Sequence, residues 1–157
     1  ILAQATSNSS MIMNKTSKEL SNDIKSNFLD FHDIIKMALP YMLKQNWGRI
    51  IFFGSSGALK TDVGLAGYSS GKYASLGYCK TLSKEYARYG VTANYLSLGL
   101  FDTPLYLSLS KKIKKNLLQN TDTRSVGDYE SILNAVNFLI KSDYVTGSII
   151  PIDGGFN

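Results

Sequence analysis

The chain has 157 residues, of which 44% are hydrophobic and 18% charged, a composition typical of a protein with a buried core. No run of about 18 apolar residues occurs, so no membrane-spanning segment is expected and a cytoplasmic location is predicted. The single cysteine, Cys79, excludes an intrachain disulfide and fits a reducing compartment. The net charge is +5, but no helix-turn-helix or zinc pattern accompanies the basic residues, so nucleic-acid binding is not expected.

The first predicted elements are two strands separated by a long helix. Residues 1–5 have the character of the end of a buried strand. A capping box formed by Thr16 and Glu19 predicts the start of a helix that extends to about Leu43, with apolar residues at helical spacing. The apolar run 49–53 lies between two glycines, which is typical of a strand buried on both faces.

The remainder of the chain continues this alternation of strands and helices. The predicted elements are a Ser- and Gly-rich loop at 55–67, a helix at 68–89, a strand at 91–96, helical segments at 104–119 and 128–141, and a strand at 148–152. Such an order predicts an α/β fold with a parallel sheet and helices on both faces. Ligands of such sheets bind beyond the carboxyl ends of the strands.

A phenol and an ammonium group are expected on one face of a helix, because Tyr68 and Lys72 are four residues apart. The spacing alone is weak evidence, but the surrounding sequence resembles the classical short-chain dehydrogenase/reductase family, and in particular its 3-oxoacyl-[acyl-carrier-protein] reductases. In that family a serine precedes the tyrosine by 13 residues, as Ser55 does, and an asparagine precedes the serine by 28, as Asn27 does. The family's asparagine 22 residues after the lysine corresponds to Asn94.

The resemblance implies roles for four catalytic residues. Tyr68 is expected to donate a proton to the carbonyl oxygen, while Lys72 lowers the pKa of that phenol and holds the nicotinamide ribose. Ser55 is expected to hydrogen-bond the carbonyl oxygen, with Ser56 as the alternative if the register is shifted by one residue. Asn27 is expected to hold a water that relays protons to Lys72.

The resemblance further implies an NAD(P)-dependent oxidoreductase that reduces a carbonyl, a 3-oxoacyl thioester or similar ketone, with NADP(H) favoured over NAD(H). The chain is expected to be the catalytic C-terminal part of one doubly wound, Rossmann-like domain, from about its fourth strand onward. The glycine-rich phosphate loop is then expected upstream of Ile1. Besides Tyr68 and Lys72, the cofactor-binding residues are expected to be Ala3, Gln4, Ala5, Leu98, Gly99, Phe101 and Thr103.

Partners are predicted as well. A homo-oligomer, a tetramer, is expected from the wide apolar surfaces of the two long helices. An acidic acyl-carrier protein is expected to deliver substrate, with basic residues bordering the site at Lys44, Arg49, Lys84 and Arg88. Residues 104–121 are expected to form a substrate lid with an apolar wall of Leu105, Tyr106 and Leu107, while the basic run 111–115 is interpreted as a solvated helix face.

Two alternatives remain open at this point. An enoyl reductase spaces its tyrosine and lysine by seven residues, as Tyr73 and Lys80 are spaced. A catalytically silent family member would serve as a binding or scaffolding subunit. A metal site is not expected, because His32 is the only histidine and is interpreted as a helix-face residue.

Overall fold

A computed structural model describes residues 1–6 and 9–156, with the side chain of Leu105 outside the description. The helices are α1 (Ser17–Ile24), α2 (Asp30–Gln45), α3 (Ser56–Lys60), α4 (Ala66–Tyr86), α5 (Pro104–Ser108), α6 (Lys111–Gln119) and α7 (Tyr129–Lys141). The strands are β1 (Gly48–Phe53), β2 (Val91–Leu98) and β3 (Ile149–Ile152). None of the helices within this described part is long and apolar enough to cross a membrane.

The three strands form one parallel sheet in the order β1-β2-β3, with Gly48 opposite Val91 and Tyr95 opposite Ile149. Leu2 extends the sheet beyond β1 by a single parallel bridge to Phe52. Its N–H donates to the carbonyl oxygen of Ile51, and its own carbonyl accepts from Phe53 N–H, both at 2.9 Å. The predicted strand at the start of the chain is therefore confirmed as a short pairing at the sheet edge.

Helices cover both faces of the sheet, because successive strand residues point to opposite sides. On one side Ile50 and Phe52 of β1 pack in a buried cluster with Phe31 of α2 and Leu82 of α4. On the other side Ile51 packs in a second buried cluster with residues of α7, among them Leu139. The prediction of an α/β fold with a doubly wound parallel sheet is confirmed.

The structure differs from the predicted elements in three places. The long helix is interrupted by a π-helical turn at Lys25–Leu29, which separates α1 from α2 and contains Asn27. The loop after β1 contains the short helix α3. The helical segment after Pro104 divides into α5 and α6, because Ser110 begins a new helix by accepting a hydrogen bond from Ile113 N–H at 3.4 Å.

Candidate active site

A cavity of about 870 Å³ lies beyond the carboxyl ends of β1 and β2. Most of the predicted site residues line it: Ala3, Ala5, Ser55, Tyr68, Lys72, Leu98, Gly99, Phe101 and Thr103. Gln4 is exposed, Asn27 is fully buried, and neither residue lines the cavity. The fold therefore gathers residues from four separate stretches of the sequence at the edge where parallel sheets bind ligands.

Ser55 is held at the start of α3. Its Oγ atom accepts a hydrogen bond from Ala58 N–H at 3.2 Å, so the serine caps this helix. A hydroxyl that accepts one hydrogen bond still has its proton to donate. Ser55 thus presents a hydrogen-bond donor to the cavity from a fixed helix terminus.

Ser56 belongs to a different polar cluster. It is buried, its Oγ donates to Asp153 Oδ2 at 2.6 Å, and it lies 2.9 Å from Ser97 Oγ. Ser56 does not line the cavity, whereas Ser55 does. Sequence reasoning did not identify the link to Asp153, which ties the loop after β1 to the end of β3.

Tyr68 lies in the first turn of α4, and its side chain is half-buried. Burial raises the pKa of the Tyr68 phenol above its ordinary value, and a hydrogen bond with the Ser55 side chain opposes only part of that rise. The net lowering of this pKa that was expected from Lys72 is therefore not found; the pKa is raised instead. The physical reason is that desolvation disfavours the charged forms of both groups.

Lys72 is a buried cation, with 2% of its surface exposed. Its Nζ donates to the carbonyl oxygen of Phe53 at 2.9 Å and lies 5.8 Å from the centroid of the Tyr68 ring. Burial lowers the pKa of Lys72 to about 8. Lys72 therefore provides a donor at the cavity wall whose charge is sensitive to pH near neutrality.

Two glycines allow α4 to approach α1 and the π-helical turn closely. A Cβ atom on Gly71 would lie 2.6 Å from the Cβ of Asn27, and one on Gly67 would overlap the carboxylate of Asp23. Any larger residue at these positions would push the start of α4 away. Sequence reasoning missed both, although their spacing of four residues on a helix that carries Tyr68 was a visible signal.

Asn27 is fully buried within the π-helical turn. Its Nδ2 donates to the carbonyl oxygens of Thr6 and Asp23, both at 2.8 Å, and its Oδ1 has no hydrogen-bond donor among the described residues. Asn27 therefore links the segment at Thr6, which follows the Leu2 bridge, to the π-helical turn. Its role in a proton relay to Lys72 remains a prediction.

The segments that follow the strands form the remaining cavity wall. Gly99 passes so close to Asp153 that an added Cβ would lie 2.5 Å from the Asp153 Cα. Thr103 caps α5, since its Oγ1 accepts from Tyr106 N–H at 3.3 Å. The cavity wall thus brings together the Gly99 backbone, the Thr103 hydroxyl and the Lys72 ammonium.

The predicted lid lies at the cavity, where Tyr106, Leu109 and Leu117 contribute to the lining. Leu107 is exposed instead, and the side chain of Leu105 lies outside the described residues. The predicted apolar wall is thus carried by Tyr106 and by two leucines further along the chain.

The basic residues expected to border the site do not do so within one chain. Arg49 lies at the start of β1, whereas the cavity lies beyond the end of that strand. Lys44 is in the last turn of α2, Lys84 is in the last turn of α4, and Arg88 lies just after α4. All four therefore lie toward the amino ends of the strands, away from the cavity. Helices α2 and α4 run antiparallel to the strands, so their last turns lie at that end of the sheet.

The residues with the spacing of an enoyl reductase are both outside the cavity. Tyr73 Oη donates to the carbonyl oxygen of Leu59 at 2.5 Å, and Lys80 Nζ donates to that of Gly147 at 2.6 Å. His32 is exposed, with its Nδ1 2.8 Å from Tyr78 Oη. In the part of the chain that the structure describes, no group of three His, Cys, Asp or Glu residues is placed to hold a metal ion.

Comparison with known proteins gives three kinds of similarity. A family model described as enoyl-(acyl carrier protein) reductase matches residues 2–157. The 3-oxoacyl-[acyl-carrier-protein] reductase MabA of Mycobacterium avium is 29% identical over 151 residues, which cover 95% of this chain and 59% of the relative. The 3-oxoacyl-[acyl-carrier-protein] reductase FabG of Buchnera aphidicola subsp. Schizaphis graminum is 33% identical over 147 residues, which cover 92% of this chain and 60% of the relative.

A solved structure of a proposed gluconate dehydrogenase from Agrobacterium tumefaciens superposes with a TM-score of 0.92 at 22% identity, over 98% of this chain and 62% of that one. This likeness concerns the fold. The chain spans about 60% of the length of the relatives that it matches.

Proposed function

Because the chain belongs to the short-chain dehydrogenase/reductase family, we propose that it carries the catalytic residues of an NAD(P)H-dependent reductase that converts the carbonyl of a 3-oxoacyl thioester, or a similar ketone, to an alcohol. The observation that supports this proposal is the joint placement of Ser55, Tyr68 and Lys72 on one cavity. On this view residues 1–157 are the catalytic part of a single domain whose phosphate-binding part lies upstream of Ile1.

The reaction needs a proton at the carbonyl oxygen while the carbonyl carbon is reduced. A bound nicotinamide supplies the hydride. Tyr68 donates its phenolic proton to the carbonyl oxygen, and its raised pKa means that the proton is present on the phenol before the reaction. Ser55 donates a hydrogen bond to the same oxygen and stabilises the developing charge. Lys72 holds the ribose and stabilises the Tyr68 phenolate that remains.

The remaining wall residues bind the cofactor in this proposal. Leu98, Gly99 and Phe101 present backbone groups, and Thr103 presents its hydroxyl, while the exposed segment 3–5 lies on the other side of the cavity. We propose NADP(H) over NAD(H) on the family resemblance alone.

The decisive experiment replaces the proposed proton donor in the full-length protein. Tyr68→Phe is expected to lower kcat/KM for a 3-oxoacyl thioester by about 10²-fold or more, the usual contribution of a positioned general acid. Cofactor Kd should change by less than about threefold, since the aromatic ring remains. Tyr73→Phe is the matched control on the same helix, and its activity should remain near that of wild type.

Substrate assays separate this proposal from its two alternatives. Reduction of a 2-enoyl thioester but not of a 3-oxoacyl thioester would support the enoyl reductase that the family model's description names. Absence of turnover with both, in a protein that binds cofactor, would support a silent subunit. If Tyr68→Phe retains more than about a tenth of kcat/KM, a difference below about 1.4 kcal/mol, Tyr68 is not the acid.

We also propose that an acidic acyl-carrier protein delivers the substrate. Helix α6 carries no acidic residue, presents exposed Lys111, Lys112 and Lys115, and borders the cavity through Leu117. A positive surface at the mouth of a site attracts an acidic partner, and this attraction weakens with salt.

Charge reversal tests this docking surface. Lys112→Glu with Lys115→Glu is expected to raise KM for a carrier-bound substrate by about tenfold at low salt while leaving KM for a small free thioester unchanged. The same charge reversal at Lys44 and Lys84, which lie toward the amino ends of the strands and away from the cavity, is the control. Activity on carrier-bound groups that is indifferent to ionic strength would instead indicate a small free ketone as substrate.

We propose in addition that the protein is a homo-oligomer, a tetramer. Phe31 and Ile35 bury one side of α2, yet Ile34, Met37 and Tyr41 are 50%, 74% and 71% exposed on the same helix. Large exposed apolar patches are rare on monomers. Light scattering after size exclusion should give a tetramer whose assembly is weakened by Met37→Lys, and an active wild-type monomer at micromolar concentration would refute the proposal.

A further inference from the structure

Two charged side chains are buried together outside the cavity. Lys15 Nζ lies 2.8 Å from Asp23 Oδ2, and each side chain is only 4% exposed. A second ion pair, between Lys25 and Asp30, has side chains that are 64% and 26% exposed. Removing two charges from water is costly, and apolar residues of the same size often stabilise a fold as well or better. The buried pair therefore calls for a reason other than stability.

Asp23 lies directly against the start of α4. Its carboxylate occupies the space where a side chain on Gly67 would be, and Gly67 is the residue before Tyr68. The backbone carbonyl of Asp23 also accepts a hydrogen bond from the Nδ2 of Asn27, which contacts Gly71 beside Lys72. Asp23 thus touches α4 at the turn that bears the phenol and is linked through Asn27 to the turn that bears the ammonium.

Lys15 fixes this carboxylate from the other side. It ends the turn Ile12–Asn14, where its N–H donates to the carbonyl oxygen of Ile12 at 3.2 Å. The preceding stretch is tied to the loop before α4 by the hydrogen bond from Ser10 N–H to Gly64 carbonyl oxygen, at 3.1 Å. An ion pair with hydrogen-bond geometry has one preferred arrangement, whereas apolar contacts tolerate sliding.

We propose that the Lys15–Asp23 ion pair is a positioning element that fixes the first turns of α4, and with them Tyr68 and Lys72, relative to the cavity. The proposal rests on the proposed function for its catalytic consequence. Because Gly67 has no side chain, the Asp23 carboxylate packs against the α4 backbone itself. A shift of this carboxylate is therefore expected to shift the backbone of α4. A displacement of about 1 Å at a reacting group costs on the order of 10²-fold in rate.

The test separates position from stability in the full-length enzyme. Asp23→Asn and Lys15→Met are expected to lower kcat by about 10- to 100-fold, with substrate KM and cofactor Kd changed by less than about twofold. Lys15→Arg keeps the charge and should keep most of kcat. The double variant Lys15→Met with Asp23→Leu is expected to regain the wild-type melting temperature but not the wild-type kcat. The apolar pair fills the same buried space but does not fix the start of α4 as the ion pair does. Lys25→Met, which breaks the exposed pair, is the control and should change neither quantity.

Two results would overturn the proposal. One is recovery of kcat together with melting temperature in the double variant, which would assign the pair to packing alone. The other is wild-type kcat in folded Asp23→Asn protein. If wild type reduces no carbonyl substrate, the proposed function fails, and amide hydrogen exchange then decides the positioning separately. Exchange within residues 67–72 should be faster in Asp23→Asn with the β2 amides unchanged, and equal exchange in that segment would refute the positioning.

Discussion

The two halves of α4 are built differently. In the first half, residues 66–75, the buried positions are glycines, serines and Lys72. In the second half, residues 76–86, Cys79 and Leu82 are buried among apolar neighbours while Lys80 and Lys84 face solvent. The second half is an ordinary amphipathic helix that supports the core. The first half contributes little to the apolar core. Its small residues instead let α1 and the π-helical turn pack close to its backbone, and Tyr68 and Lys72 line the cavity.

This difference places the energetic cost of the helix at the end that bears the proposed site. The Lys72 ammonium is desolvated, and the Ser69 hydroxyl is buried without a hydrogen-bond partner among the described residues. Both features disfavour the folded state, since buried polar groups lose their hydration. The apolar contacts of Leu82 and Cys79 offset such costs from the other end. A single helix therefore contains a stabilising half and a half shaped for chemistry.

Removal of the buried ammonium of Lys72 is expected to have the largest effect. Lys72→Met is expected to lower kcat/KM by about 10²-fold or more and to weaken cofactor binding, since one ammonium is proposed to serve both roles. Lys84→Met in the second half, where the ammonium is exposed, should change neither quantity. Steady-state kinetics and a fluorescence titration of the cofactor measure both effects, and an unchanged cofactor Kd would remove the ribose-holding role.

The same substitution has a pH signature in stability. The pKa of Lys72 is about 8 in the folded chain and 10.5 in its ordinary state, so between these values the unfolded chain binds more protons. The free energy of unfolding contributed by this group therefore rises with pH from about 8 to 10.5, and is lost as pH falls through 8. In denaturant titrations, the free energy of unfolding of wild type should therefore increase relative to that of Lys72→Met as the pH is raised across this window. A pH-independent difference would mean that Lys72 is not desolvated as the structure has it.

Sequence reasoning succeeded where one residue type at a fixed spacing carries the signal. The alternation of elements predicted the parallel sheet, and the spacing of Ser55, Tyr68 and Lys72 matched three residues that do line one cavity. It failed where the outcome depends on environment. Proximity in sequence suggested a lowered Tyr68 pKa, but burial, which only the fold determines, raises it. Charge alone likewise did not show that Arg49 lies at the edge away from the cavity.

The contacts between helices were also beyond the sequence pattern. Helical periodicity predicted one continuous helix, because a π-helical turn keeps the chain helical and changes only which residues face inward. The Lys15–Asp23 pair was invisible for a related reason, since a lysine and an aspartate at this spacing are usually solvated. Only the close approach at Gly67 places that carboxylate in the interior.

A moderate effect is expected from filling the close contact in the first half of α4. Gly71→Ala adds a Cβ 2.6 Å from the Cβ of Asn27, so one helix must move. We expect a loss of about 1–3 kcal/mol in the free energy of unfolding, the usual cost of overpacking, together with a lower kcat because Lys72 follows directly. Thermal denaturation and kinetics on the same preparation measure both. Wild-type stability in this variant would show that the helices are not in contact here.

The smallest effect, and one of opposite sign, is expected from the same substitution six residues later. Gly77 is exposed in the second half of α4, and a Cβ added there would meet no atom within 4 Å. Alanine is favoured over glycine in a helix interior by about 1 kcal/mol, because the unfolded chain loses conformational freedom and no contact is strained. Gly77→Ala should therefore raise the free energy of unfolding slightly and leave kcat unchanged. If Gly71→Ala and Gly77→Ala shift the free energy of unfolding in the same direction, the two halves of the helix do not differ in packing. The close contact of α4 with Asp23 and Asn27 would then be refuted.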